Sequence, residues 1–149
     1  ALREQQGLFL GLRQEDALGQ LRRSALELMR LLHAFHPCLT GAVQSGLADR
    51  HSPIELHLFS DRCEDLLLFL EDAKLHPISS QRRYRYADGR TEPRPLFRLD
   101  NGEQQAELSC FPLAERHSGA PLDRLQQRPL RRLSLGAAER EFDLLGDSD

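Results

Sequence analysis

The segment from Thr40 to Phe59, TGAVQSGLADRHSPIELHLF, places the strongest constraint on the fold. It opens with a glycine turn, continues through a short polar stretch and ends in an apolar run with polar residues at alternate positions. Because side chains alternate across a strand, the leucines of this run would point to one face, and Glu55 and His57 to the other. The pattern predicts a strand that buries one face and presents a carboxylate on the other.

The order of the other elements predicts the fold class. Apolar residues recur at steps of three and four up to Phe35, which is the period of a helix face, and Pro37 ends this helix. A short buried strand (Cys38–Val43) leads into the Gly41 turn, and the strand Ile54–Phe59 is predicted as its neighbour. The elements that come next are a helix (about Arg62–Leu75), three strands (Arg82–Tyr86, Pro95–Leu99 and Gln105–Phe111), an irregular connection (Leu113–Leu130) and a final helix (Leu135–Leu145) for which Ser134 is a plausible cap. This order predicts an α/β (α+β) fold with a mixed sheet of about five strands and helices packed on it.

The opening segment resembles the signature of the nucleotidyltransferase superfamily, which has a polymerase-beta-like fold. In that signature a Gly-Ser turn and a short helix precede an Asp-x-Asp pair on the second strand. Here Gly41 takes the turn glycine, Ala42 replaces the phosphate-contacting serine, and Pro53 and Glu55 replace the two aspartates. The resemblance implies a minimal nucleotidyltransferase-like domain at 37–149 with a degenerate catalytic motif, and an N-terminal helical segment at 1–36 packed on it.

The chemistry of that family explains why these replacements matter. Nucleotidyl transfer uses two divalent ions to hold the attacking and leaving oxygens, and Mg²⁺ requires oxygen ligands in near-octahedral geometry. Pro53 has no ligand atom, and the extra methylene of Glu55 moves its carboxylate by ~1 Å, a displacement that can cost ~100-fold in rate. Glu107, predicted on the face opposite the apolar residues of its strand, would be the third ligand. We expect weakened or lost transfer.

The resemblance therefore implies two sets of site residues. Glu55 and Glu107 would serve catalysis and bind Mg²⁺. The nucleoside triphosphate would contact Gly41, Ala42, Ser45 and Ser52. The alternatives are that both glutamates are solvent-facing strand residues and that the turn is retained for folding alone. His57 shares the face of Glu55 and could ligate a transition metal or serve as a base, or it is an ordinary satisfied or exposed histidine.

Three functional hypotheses remain open from the sequence. The first is a nucleotidyltransferase-like protein with weakened or lost catalysis that binds a nucleotide or a protein partner. The second is an active metal-dependent nucleotidyltransferase that uses Glu55 and Glu107. The third is a non-enzymatic interaction module that forms a homodimer through a sheet edge or its N-terminal helix.

One local group of arginines has the composition of an RNA-contacting surface. Arg82, Arg83 and Arg85 are interspersed with Tyr84 and Tyr86, and guanidinium groups beside aromatic rings are typical of surfaces that bind phosphates and stack on bases. The alternative is a solvated edge strand, with the tyrosines on one face and Arg83 and Arg85 on the other.

The composition limits which partners and which cellular compartment we expect. The net charge of −3 gives no global sign of affinity for nucleic acid, and no apolar run approaches the ~20 residues that span a bilayer. Three cysteines without CxxC spacing favour free thiols in a reducing cytoplasm.

The helix after Arg62 is apolar nearly all round its middle, so we expect it to be well buried.

Overall fold

The computed structural model describes the backbone of residues 2–146 and the side chains of residues 17–142. This part of the chain contains four α-helices and six strands. The helices are α1 (Leu2–Leu31), α2 (Gly41–Ser45), α3 (Cys63–Asp72) and α4 (Leu135–Gly146). The strands are β1 (Cys38–Thr40), β2 (Ile54–Phe59), β3 (Ile78–Arg85), β4 (Thr91–Asp100), β5 (Gln105–Phe111) and β6 (Leu133–Ser134). Short 3₁₀ turns cover His33–Phe35 and Leu113–Arg116.

Within the described residues the strands form one mixed sheet in the order β3-β4-β5-β2-β1-β6. The central pair, β2 and β5, is parallel, and every other neighbouring pair is antiparallel. The predicted α+β class with a mixed sheet is confirmed. The sequence did not indicate β6, which has only two residues and pairs with β1.

The apolar face of the sheet carries the main core. Ile54, Leu56 and Leu58 of β2 are almost completely buried there, as the alternation predicted. Helix α1 adds four buried side chains to the same cluster, Leu21, Ala25, Leu26 and Met29, and Leu32 follows directly after the helix. Burial of a leucine or methionine side chain stabilises a fold by roughly 1.5–3 kcal/mol.

Arg22 connects α1 to two other helices. Its Nε and Nη2 atoms donate to the backbone oxygens of Val43 (3.0 Å) and Gln44 (3.2 Å) in α2. Its guanidinium also lies 4.4 Å from the ring centroid of Phe142 in α4. The arginine therefore binds carbonyls at the end of α2 and fixes α2, which begins at the Gly41 turn, relative to the core.

Two expectations from the sequence are wrong. A disulfide joins Cys63, at the start of α3, to Cys110 in β5, whereas the odd number and the spacing of the cysteines favoured free thiols. The pairing depends on where α3 crosses the sheet, which spacing does not encode. Helix α3 is also less buried than its composition predicted: Leu66 and Leu70 are buried, but Leu68 is 56% exposed. Only one side of α3 faces the sheet.

Among the described residues, no helix combines the length and the apolar character needed to cross a bilayer.

Candidate functional site

The two predicted carboxylates lie side by side on the second face of the sheet. Glu55 in β2 and Glu107 in β5 are register partners of adjacent parallel strands, and partners in a sheet point to the same face. The side chain of Glu55 is 31% exposed and that of Glu107 is 14% exposed. They are therefore part of a half-buried cluster and are not ordinary solvent-facing residues.

Two arginines hold this carboxylate pair. Nη2 of Arg82 lies 3.3 Å from Oε1 of Glu107, and Nη1 of the same guanidinium lies 3.9 Å from Oε1 of Glu55. Nη2 of Arg98 lies 3.2 Å from the other oxygen of Glu107. The two negative charges are thus matched by two positive charges within the protein itself.

Charge and burial set the ionisation of this cluster. Burial raises the pKa of Glu55, the negative charge of Glu107 raises it further, and Arg82 partly offsets both. Burial alone would lower the pKa of Arg82, but Glu107 and Tyr84 raise it above its ordinary value. Arg82 therefore remains a cation whenever the carboxylates are charged.

Gly41 packs directly against Glu55. Its backbone has the left-handed φ of +76°, and a Cβ atom at this position would overlap Oε2 of Glu55. The preceding Thr40 is buried, and its hydroxyl donates to the backbone oxygen of Glu55 at 3.5 Å. Glycine is required here for two reasons, since the backbone conformation and the close carboxylate both exclude a side chain.

We expect Gly41→Ala to lower the free energy of unfolding by about 2–3 kcal/mol, because a strained backbone and a displaced Glu55 act together. Gly89→Ala is the matched control: its φ is +88°, but nothing lies within 4 Å of an added Cβ, so only the backbone strain of about 1 kcal/mol applies. Urea unfolding of both variants measures the difference. Equal losses would mean that Glu55 does not pack against the turn.

His57 lies on the same face as Glu55 and is 3% exposed. Its Nδ1 accepts a hydrogen bond from Nε of Arg132 at 3.0 Å, and its ring packs 4.5 Å from that of Phe111. Burial, with the positive charges of Arg132 and Arg82, lowers the pKa of His57 well below 6.5. The histidine is therefore neutral, and Nδ1 is an acceptor held by Arg132. It is a satisfied histidine, as one of the two alternatives predicted.

This buried histidine predicts an acid-sensitive fold. The unfolded chain binds a proton near pH 6.5 and the folded chain does not, so stability falls as the pH drops below 6.5, by about 1.4 kcal/mol per pH unit. The raised pKa of Glu55 acts in the opposite direction as the pH falls toward the ordinary value of 4.5 for this carboxyl. Urea unfolding of His57→Gln between neutral pH and about pH 5.5 should show a smaller loss than the wild type. His117→Gln, at an exposed histidine, should behave as the wild type does.

The other predicted phosphate contacts do not join the carboxylate cluster. The Ser45 hydroxyl donates to the backbone oxygen of Ala42 at 3.3 Å, at the far end of the five-residue helix α2. The Ser52 hydroxyl accepts from the backbone nitrogen of Asp49 at 3.1 Å. Both hydroxyl groups therefore stabilise local turns, and Ala42 offers no hydroxyl of its own.

The predicted RNA-contacting arginines fall on two faces of β3. Arg83 and Arg85 are exposed, whereas Arg82 shares the face of Tyr84 and points toward the carboxylates. Tyr84 and Tyr86 are 8% and 5% exposed, and the Tyr84 hydroxyl is hydrogen-bonded to Ser109. The tyrosine rings are therefore not presented for stacking, and the arrangement is that of the edge-strand alternative.

Sequence analysis did not identify Arg82 and Arg98 as partners of the two glutamates. The available signal was alternation: Arg82 is two residues from Tyr84, so both share one face of β3. The 121–130 segment also approaches this site, since the charges of Arg124 and Asp123 affect the pKa of Glu55. A connection predicted only as irregular thus contributes to the electrostatics.

The residues at this site do not fit a Mg²⁺ pair. Of the three positions that the sequence resemblance assigns to carboxylates, one is Pro53, and both oxygens of Glu107 are within ion-pair distance of arginines. Among the described side chains, no group of three or more histidine, cysteine, aspartate or glutamate residues could hold a metal ion. A divalent ion here would also have to approach the positive charge of Arg82.

No family model matches the chain, and no curated protein matches it. Several solved structures of Cid1 poly(U) polymerase resemble it. A mutant of that enzyme bound to MgATP aligns with a TM-score of 0.42 and 21% identity, over 64% of this chain and 32% of Cid1. The complex with the UTP analogue UMPNPP aligns with a TM-score of 0.42 and 20% identity, over 64% of this chain and 31% of Cid1. The complex with the short product ApU aligns with a TM-score of 0.41 and 21% identity, over 64% of this chain and 31% of Cid1. The alignments are weak and span about a third of Cid1, so a function for this chain has to rest on its own residues.

Proposed function

We propose that this protein is a nucleotidyltransferase-like domain that does not carry out two-metal nucleotidyl transfer and that acts by binding a nucleotide or a protein partner. The observation that carries the proposal is the guanidinium of Arg82, which lies 3.3 Å from Glu107 and 3.9 Å from Glu55. These are the two carboxylates that the sequence resemblance assigns to metal binding. Their charges are already balanced by Arg82 and Arg98, so little electrostatic attraction remains for divalent ions.

The same geometry indicates how a nucleotide would bind. A phosphate at the Gly41 turn would approach the carboxylate of Glu55, which packs against that turn. In a metal-dependent site a divalent ion separates these negative charges; here Arg82 is the cation next to Glu55. We therefore expect nucleotide affinity to be independent of Mg²⁺.

Calorimetric titration with ATP, GTP, CTP and UTP, each with Mg²⁺ and with EDTA, tests the binding. Incorporation of labelled nucleotide into RNA primers tests the chemistry. We expect no incorporation, and the same nucleotide affinity in both buffers. Metal-dependent incorporation by the wild type that is abolished in Glu55→Gln would overturn the proposal.

One observation favours the alternative of an active metal-dependent nucleotidyltransferase. Glu55 and Glu107 are register partners on adjacent parallel strands and share a face, which is the placement that ligands of one ion need. This alternative requires the guanidinium of Arg82 to leave the carboxylates when metal and nucleotide bind. Incorporation assays at increasing Mg²⁺ and Mn²⁺ concentrations separate it from the first proposal.

The homodimer and RNA hypotheses both use the exposed surface of β3. This strand is at one edge of the sheet, and Ile78 at its start is 64% exposed. An exposed edge strand can pair with a strand of a second copy. Light scattering measures the oligomeric state, and RNA binding by Arg83→Ala and Arg85→Ala variants measures the contribution of the exposed arginines.

A further inference from the structure

Arg82 reaches the carboxylates from a distant strand. It belongs to β3, and β4 separates β3 from β5, so its side chain extends across β4 to contact Glu107. It continues to Glu55 on β2, the next strand. The Arg82 side chain is only 17% exposed. A long side chain that crosses one strand to contact two carboxylates has less conformational freedom than an ordinary surface arginine.

The carboxylate pair requires a cation. Glu55 and Glu107 are directly opposite one another in parallel register, so their like charges repel in a half-buried setting. Arg98 contacts Oε2 of Glu107 and is 43% exposed, whereas Arg82 contacts Oε1 of both glutamates. Arg82 is therefore the group between the two carboxylates, and Arg98 is at their side.

We propose that Arg82 occupies the position of a divalent cation and that Glu55 and Glu107 become ligands of one such ion when its guanidinium is removed. This inference rests on the proposed function, because it explains by a single residue why the wild-type site does not take a metal. Two glutamate oxygens with water can hold one Mn²⁺ or Mg²⁺ ion, although they cannot form a two-metal clamp.

Binding of Mn²⁺, measured by calorimetry and by the electron paramagnetic resonance signal of the free ion, tests the proposal. We expect Arg82→Ala to bind one Mn²⁺ per chain at least about tenfold more tightly than the wild type, because a competing positive charge is removed. The double variant Arg82→Ala/Glu107→Gln should lose this binding. Arg83→Ala is the matched control, since Arg83 is the next residue and is exposed on the opposite face of β3.

The outcomes separate this inference from the proposed function. A folded Arg82→Ala variant that binds no Mn²⁺ overturns the inference and leaves the proposed function standing. Tight binding of Mn²⁺ by the wild type overturns both. If Arg82→Ala does not fold in EDTA, refolding on addition of Mn²⁺ supports the inference. If it does not refold, Arg82→Gln, which keeps a neutral hydrogen-bond donor, takes its place in the titration, and failure of that variant to gain Mn²⁺ affinity overturns the inference.

Discussion

Replacement of Arg82 by methionine is expected to lower the free energy of unfolding by about 2–4 kcal/mol at neutral pH. Methionine has a similar length but no charge, so Glu55 and Glu107 would face each other without the cation that contacts both. Removal of one partner from a fully buried ion pair costs about 3–5 kcal/mol. We expect a loss near or below the lower end of this range because Glu55 is 31% exposed and water can reach it.

The pH dependence of this loss identifies its cause. Without Arg82 the pKa of Glu55 rises further in the folded state, so the folded chain binds a proton that the unfolded chain does not. The variant should therefore regain stability relative to the wild type as the pH falls from neutral toward about 5. Urea unfolding across this range is the measurement. Arg83→Met should leave the free energy of unfolding almost unchanged at every pH. An equally small effect of Arg82→Met would refute the ion-pair assignment.

The sequence predicted the central strands well because their signals are local. Alternation in β2 and β5 gave the bounds Ile54–Phe59 and Gln105–Phe111, which the structure has unchanged. The same alternation placed Glu55 and Glu107 on their faces of the two strands. Ser134 was likewise expected to cap the final helix, and its hydroxyl accepts from the backbone nitrogen of Ala137 at 3.3 Å.

The partners of the carboxylates could not be predicted from local patterns. The predicted first strand of the hairpin began at Arg82, but β3 begins at Ile78, because pairing with β4 extends it through serine and glutamine residues, which are not among the residues enriched in strands. This register decides which arginine faces Glu107. The interpretation of the arginines as an RNA surface therefore treated Arg82 as equivalent to Arg83, although the two side chains point to opposite faces.

The contacts that cover the Glu107 face of the sheet could not be predicted from the sequence either. The segment 113–130 was predicted only as an irregular connection, yet Glu115 within it is 9% exposed and Arg94 in β4 lies 3.1 Å from its Oε2. Arg132, just after this segment, binds the buried His57. Such pairings join residues that are distant in the sequence, and no periodic pattern indicates them.

Replacement of Phe111 by alanine should be the most destabilising of the single changes considered, with a loss of about 3–5 kcal/mol. Phe111 is fully buried at the end of β5, on the same face as Glu107. Its ring lies 5.1 Å from that of Tyr84 and 5.9 Å from that of Phe59, and the guanidinium of Arg132 lies 5.0 Å from its centroid. Alanine would leave a cavity beneath a cation and two rings.

The change at Phe111 should also affect the buried histidine. The centroids of the Phe111 and His57 rings lie 4.5 Å apart, so the cavity would admit water beside His57. Burial lowers the pKa of this histidine, and water would weaken that effect. We therefore expect Phe111→Ala to lose stability at neutral pH and to show a weaker further loss on acidification than the wild type. Leu125→Ala is the control, because Leu125 is 93% exposed and its replacement should change stability by less than about 0.5 kcal/mol. A loss below about 1 kcal/mol in Phe111→Ala would mean that this face of the sheet is not packed around its ring.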